Sequence, residues 1–380
     1  TVFVAGMSTL AIEFTTSRML QTVYGTSNLV WANVIGLVLL FLATGYFLGG
    51  RLADRFPKPR TFYLLVCAAG FSGIFFLLLT SVILKSAAAA MAALNIGAIA
   101  SSVVGVIFAL FVPITLLGCI SPFAIRLAVT EVEDAGKISG QIYAVSTLGS
   151  LLGTYLPTLI VIPLAGSRTS ALIFGSILLL IGLWQLGDKT RTGAIAAVSL
   201  IIIPAMAFWS SGNIKEYEGQ LYETESAYNY IQVIRRDDCN YLLLNEGQAF
   251  HSFYCDDDRV PRISVWSIML AAPYFNDPAI VGAVREPPLQ RMAVVGLAAG
   301  TIPKQYVRIY DQVQIDGIEL DPQIVEVAYD YFALEHPRIN VITGDGRYQL
   351  NQLDGNYDVI TIDAYKVPYI PWHLTTTDFF

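Results

Sequence analysis

NLVWANVIGLVLLFLATGYFLGG, residues Asn28–Gly50, carries no charged residue and closes on Arg51-Leu52-Ala53-Asp54-Arg55. About 20 apolar residues suffice to cross the hydrocarbon of a bilayer. The stretch is long enough, and it stops abruptly at positive charge. Working outward, six more apolar stretches follow the same pattern, and the reading is of seven spans: Val2–Leu20, Leu29–Gly49, Phe62–Leu84, Ile99–Ile120, Ile138–Ile162, Ser170–Leu186 and Ala194–Trp209. Of the 380 residues, 54% are hydrophobic and 14% charged. A soluble domain carries about 25% charged residues, so lipid is the expected solvent for much of the chain. The formal net charge of -7 argues against nucleic acid as a partner, because phosphate binding needs a basic face.

Short loops orient spans through their Lys and Arg content. Arg51, Arg55, Lys58 and Arg60 follow the second span, Arg126 and Lys137 the fourth, and Lys189 and Arg191 the sixth. The loops between them offer only Lys85 and Arg168. The expectation is an integral protein of the plasma (inner) membrane with a cytoplasmic amino terminus. An odd number of crossings then delivers the carboxy-terminal domain outside the cytoplasm. Glu13 lies within the first span, where an acid needs protein or water around it. It fits either a substrate or proton path or an ion pair in helix packing.

Cys239 and Cys255 flank an expected hairpin, Tyr241–Leu244 and Phe250–Tyr254, turning at Asn245-Glu246-Gly247-Gln248. Each cysteine is eight positions from Gly247, so a symmetric hairpin sets them opposite each other, within disulfide reach. A disulfide suits an oxidising compartment; two unrelated free thiols are the alternative. Cys67 and Cys119 fall in spans and read as packing residues. His251, His336 and His373 show no metal-ligand spacing, and no metal site is expected. The run Asp256-Asp257-Asp258 reads as a solvated hairpin end.

From Arg291 the pattern changes to strand–helix alternation. Met292–Val295, Gln314–Glu319, Ile339–Ile342 and Tyr357–Ile362 read as strands of a parallel sheet, with a helix over Gln323–Phe332. The turn Gly296-Leu297-Ala298-Ala299-Gly300 follows the first strand, and Glu319 stands about 20 residues on. That is the nucleotide-binding arrangement, in which glycines admit the ligand and the acid takes ribose hydroxyls. Asp345 and Asp363 fall at the carboxyl ends of later strands, the edge where open α/β sheets bind ligands. The bland alternative is that these acids only cap helices. The domains expected are helices over 1–212, a linker and small β region over 213–290, and a Rossmann-like domain over 291–380. Thr1 opens inside an apolar segment and Phe380 stops where a helix should begin, so the expectation is a truncated sheet and missing residues at both ends.

Three motifs resemble the spermidine synthase family of polyamine aminopropyltransferases: Gly-Ile-Glu-Leu-Asp-Pro at Gly317–Pro322, Gly-Asp-Gly-Arg at Gly344–Arg347 and Tyr-Asp-Val-Ile-Thr-Ile-Asp at Tyr357–Asp363. Leu48–Arg55 is similar to a loop signature of major facilitator transporters, and Ile142–Ser150 looks like membrane-fused members of the synthase family. The resemblance implies a donor, decarboxylated S-adenosylmethionine or S-adenosylmethionine itself, held by Gly296, Gly300, Glu319 on the ribose and Asp345 on the adenine amino group. It implies Asp363 as the base that deprotonates the attacking amine. The chain departs from that pattern on the acceptor side. Ala298-Ala299 stand where the family has an aspartate, Ala364-Tyr365-Lys366 follow Asp363 where it has a second one, and Trp266-Ser267-Ile268 replace Tyr-His-Glu. The reading preferred from these departures is a membrane-anchored accessory or scaffold subunit with a degenerate acceptor site, partnered by the bilayer and other membrane proteins. The alternative is an active aminopropyltransferase-like enzyme working on an unknown amine.

Overall fold

The computed structural model describes residues 1–25, 28–94, 98–186, 217–245, 249–257, 264–275, 289–365 and 370–379, with isolated positions 193 and 204; at 77–78, 81–94 and 98–101 only the backbone is described. The chain forms two compact units, Thr1–Lys215 and Glu216–Phe380.

The first unit is helical: α1 (Val2–Tyr24), α2 (Asn28–Arg55), α3 (Pro59–Leu94), α4 (Ala98–Ala128), α5 (Ala135–Leu156) and α6 (Ile162–Gln185). Among the described residues, four helical stretches are long and apolar enough to cross a membrane: Asn28–Arg55, Pro59–Phe76, Ser102–Ala128 and Val132–Gln185. The last joins the expected fifth and sixth spans. A single π turn at Pro157–Val161 carries α5 into α6, where Pro157 withholds a backbone donor and the helix widens. The break comes at Gly166 (φ 79°, ψ 166°). The seven spans read from the sequence are therefore not reproduced among the described residues; the seventh, Ala194–Trp209, lies outside them.

Close contacts fix the helix directions. A Cβ on Gly149 would sit 1.9 Å from the Phe3 carbonyl oxygen, and one on Gly153 would sit 2.0 Å from that of Met7. The register advances four residues on both helices, so α1 and α5 run parallel, backbone against backbone. Ser8 Oγ donates to the Phe174 carbonyl (3.0 Å) while Thr15 Oγ1 meets Ser170 Oγ (3.1 Å), so α6 beyond Gly166 runs against α1. Contacts from Asn33 to Ser102 (3.1 Å) and from Arg126 to Asp54 (3.1 Å) make α2 and α4 parallel. Phe62 at the start of α3 meets Phe123 near the end of α4, with ring centroids 5.6 Å apart, so this pair is antiparallel. Odd and even helices thus alternate in direction.

The second unit holds two four-stranded sheets. The first is an antiparallel meander of β1 (Gln220–Glu225), β2 (Tyr230–Arg236), β3 (Cys239–Leu244) and β4 (Phe250–Cys255), followed by the short helix α7 (Val265–Met269). Cys239 and Cys255 pair across β3 and β4 and form a disulfide, as the hairpin symmetry suggests. Turn residues 246–248 lie outside the description. The acidic hairpin end is not simply solvated: Asp256 pairs with Arg235 at 2.5 Å, whereas Asp258 is outside the described residues.

The second sheet is parallel: β5 (Arg291–Val295), β6 (Gln314–Glu319), β7 (Ile339–Thr343) and β8 (Val359–Ile362), in the order β7-β6-β5-β8. Helices α8 (Thr301–Ile309), α9 (Pro322–Phe332) and α10 (Gly346–Gln352) follow β5, β6 and β7. The order places the chain reversal beside β5, where open sheets form their ligand crevice. The meander packs on the turn after β5 and on α9 through Ile231, Val233 and Leu242, which share a core with Leu297, Ile324 and Phe332.

Replacing Gly153 by Val is expected to force α1 and α5 apart and destabilise the helical unit by about 2–3 kcal/mol. Gly36→Ala, at a position whose Cβ meets nothing within 4 Å, is the matched control and stays within about 1 kcal/mol. Thermal unfolding of the detergent-solubilised chain measures the difference.

Candidate functional site

β5 ends in Val295, and the chain must turn at once to enter α8. Gly296 takes φ +87°, and a Cβ there would lie 2.6 Å from the Ala364 nitrogen and 2.7 Å from the Asp363 carbonyl carbon. Only glycine allows that approach. Ala298 also takes a positive φ, 48°, and Gly300 at 79° is the N-cap of α8. Ser252 Oγ accepts from the Ala299 N–H at 2.9 Å, and Thr301 Oγ1 accepts from the Phe253 N–H at 3.0 Å, so β4 is bonded onto this turn.

Glu319 closes β6 and is 7% exposed. Its Oε2 accepts from the Ala298 N–H (2.8 Å) and its Oε1 from the Asp321 N–H (3.0 Å). Burial pushes its pKa above the usual carboxylate range, while those two N–H groups pull the other way. The Leu320 N–H acts on the carboxylate in the same sense; with about four acceptor sites on a carboxylate, some capacity remains for a ligand's hydroxyl. Two residues on, Asp321 is fully buried. Its Oδ1 caps α9 by accepting from Gln323 N–H (3.1 Å), and its Oδ2 accepts from Ser226 Oγ (2.5 Å) and Asn229 Nδ2 (2.8 Å) in the β1–β2 turn. The sequence reading passed over Asp321, although an aspartate directly before a proline is a helix-start signal.

Asp345 follows β7 and caps α10, its Oδ1 accepting from Tyr348 N–H at 3.0 Å. Its Oδ2 lies 3.1 Å from His373 Nε2. The helix-capping alternative thus describes Asp345 in part and Glu319 not at all. Asp363 follows β8, its backbone N–H bonded to the Val295 carbonyl at 2.8 Å. Burial raises its carboxyl pKa from 3.8 to about 6.

These residues surround one cleft of about 200 Å³ at the carboxyl edge of the parallel sheet. Gly296, Glu319, Asp345 and Asp363 all line it; Gly300 does not. Cys239 and Cys255 are elsewhere, across the far end of the meander. Tyr228, Asn229 and His251 line the cleft from the meander side, and burial holds the His251 pKa below its ordinary value. The sequence weighs His251 only as a metal ligand and assigns none of the three to the cleft, because meander register alone brings them here. Tyr365 lines the cleft and is half exposed, Trp372 is largely exposed, and Lys366 and Tyr369 lie outside the described residues.

No protein-family model matches the chain. A probable polyamine aminopropyl transferase of Bifidobacterium longum is 32% identical over 178 residues, which is 47% of this chain and 36% of that protein. A polyamine aminopropyltransferase of Vibrio vulnificus is 30% identical over 166 residues, 42% of this chain and 52% of that protein. The carboxy-terminal part of the chain is therefore homologous to spermidine synthases and polyamine aminopropyltransferases. The chain spans about a third to a half of the length of these relatives. The crystal structure of a probable spermidine synthase from Corynebacterium glutamicum aligns at 18% identity with a TM-score of 0.35, covering 43% of this chain and 58% of that one.

Asp321→Ala is expected to destabilise the second unit by about 2–4 kcal/mol, because it removes the α9 cap and the buried acceptor of Ser226 Oγ and Asn229 Nδ2. Loss of hydrogen-exchange protection in β1, β2 and α9 together reads it. For Asp363 the sign runs the other way. Its folded pKa is raised, so the stability it contributes is present below pH 4 and is lost as pH climbs through about 6. Asp363→Asn should therefore match the parent at pH 4 and exceed it at pH 7.5 by about 1–2 kcal/mol, after discounting for partial solvent access. Exchange protection of β5 and β8 at the two pH values measures it.

Proposed function

We propose that the chain is a membrane-anchored, aminopropyltransferase-like enzyme that binds an adenosyl sulfonium donor and alkylates an amine. One observation carries this reading: Glu319, Asp345 and Asp363, from three strands, line a single cleft beside the Gly296–Gly300 turn. Glu319 retains acceptor capacity for ribose hydroxyls, and Asp345 for an exocyclic amino group. The donor named by the sequence resemblance is decarboxylated S-adenosylmethionine. S-adenosylmethionine is the second candidate.

The chemistry follows from Asp363. An amine with pKa near 10 arrives protonated and must lose a proton before its lone pair can attack. A carboxylate whose pKa sits at about 6 is ionised at neutral pH, binds the ammonium and accepts the proton. The amine nitrogen then attacks the carbon bonded to the sulfonium. The C–N bond forms, the C–S bond breaks, and its electron pair returns to sulfur. The sulfonium becomes a neutral thioether, 5′-methylthioadenosine when the donor is the decarboxylated one. The proton leaves through Asp363.

A second reading, an accessory subunit in a membrane assembly, is favoured by one specific departure: Ala364 and Tyr365 follow Asp363 where a second acid would neutralise a polycationic acceptor. Four apolar helical stretches support membrane anchoring. The Cys239–Cys255 disulfide supports an extracytoplasmic second unit. Thiol labelling of these cysteines in sealed cells, with and without reductant, tests that placement.

Calorimetry on the solubilised full chain is expected to show donor binding that is lost in Asp345→Ala. With an amine that turns over, kcat/KM should rise with pH through about 6 and then level, and Asp363→Asn should lose that limb together with about 100-fold or more in kcat. Donor binding without turnover of any amine would favour the accessory reading, and absence of donor binding would remove the adenosyl reading.

A further inference from the structure

The segment after Asp363 returns to the cleft at Pro371–Leu374. Leu374 is 3% exposed and packs with Val295 and Ile318, so it pins the segment to the sheet. Arg347, in the first turn of α10, donates through Nη1 to the His373 carbonyl (3.0 Å) and to Thr376 Oγ1 (3.2 Å). His373 is thus held through its own carbonyl and through the residue that follows it. Its imidazole lines the cleft and places Nε2 3.1 Å from Asp345 Oδ2. A carboxylate only accepts, so Nε2 carries the proton. Asp345 Oδ1 is already held by the Tyr348 N–H at 3.0 Å. Each carboxylate oxygen therefore has one bond to the protein and one acceptor site left, and the carboxylate cannot rotate without breaking a bond at each end.

We infer that His373 is a positioning residue that locks Asp345 as a pure acceptor and so makes the cleft select a nucleobase bearing an exocyclic amino group over one bearing a carbonyl. The inference rests on the adenosyl-donor reading. A fixed carboxylate accepts from the amino group of adenine. Against the carbonyl of hypoxanthine it finds only another acceptor, and it cannot turn away. Without the His373 bond, the Oδ2 end can swing aside, and the penalty on the wrong base falls. Sequence reasoning missed His373, since it stands 28 positions from Asp345 and bears no metal or triad spacing.

The test uses the full chain in detergent micelles, with 5′-methylthioadenosine and its inosine counterpart as calorimetric probes. The parent is expected to bind the adenine compound at least about tenfold more tightly. His373→Phe keeps the ring volume without the donor and should lower that ratio about tenfold. His373→Gln, whose amide nitrogen can reach where Nε2 stood, should keep most of it. A ratio unchanged in His373→Phe, or lost equally in Phe and Gln variants, overturns the inference, the second result because ring shape rather than the N–H would then matter. A parent that binds neither probe overturns the adenosyl reading itself, which separates the two failures.

Discussion

The buried carboxylate of Asp321 is the constraint on which the second unit depends. It is fully removed from solvent, yet three donors reach it: the α9 N–H of Gln323, the Ser226 hydroxyl and the Asn229 amide. An ionised group in that position is tolerable only when its acceptor sites are filled. Filling them demands that the meander turn sit directly over the end of β6. The same turn carries Tyr228 and Asn229 to the rim of the cleft. The antiparallel sheet is thereby part of the site and not an appendage to it.

The next step outward is the neighbouring acid. Glu319 shares its backbone turn with Asp321 and is satisfied by the N–H groups of Ala298 and Asp321. It also lines the cleft, so a residue the turn requires for structure is available to the proposed ligand. Asp363 differs: burial raises its pKa to about 6, and the protein gains nothing in stability from its ionised form near neutrality; a carboxyl so perturbed in a cleft is what the proposed base requires.

Much of this was legible in the sequence because it is local. The run Gln314–Glu319 has the same bounds in the structure as in the periodicity, and the Cys239/Cys255 symmetry about Gly247 anticipates the observed pairing. The acids at strand ends came out because a parallel strand announces its own carboxyl terminus. What stayed hidden is non-local. His373 reaches Asp345 only through a returning segment anchored by Leu374, and His251 reaches the cleft only through meander register. In the helical unit, hydropathy found apolar stretches but not their punctuation. It could not see that the chain passes Pro157 by a π turn and reverses at Gly166, since both depend on which donors the helix can forgo.

At Gly296 the space a side chain would need is filled by the backbone of Asp363 and Ala364. The Gly296 turn and the Asp363 backbone are consequently one mechanical piece: neither can be displaced without carrying the other. On the proposed reading, the residues after Asp363 can change freely, but Asp363 cannot shift relative to the Gly296 turn without rebuilding β5 and β8 together. On that reading, divergence should concentrate on the residues after Asp363 and spare this junction.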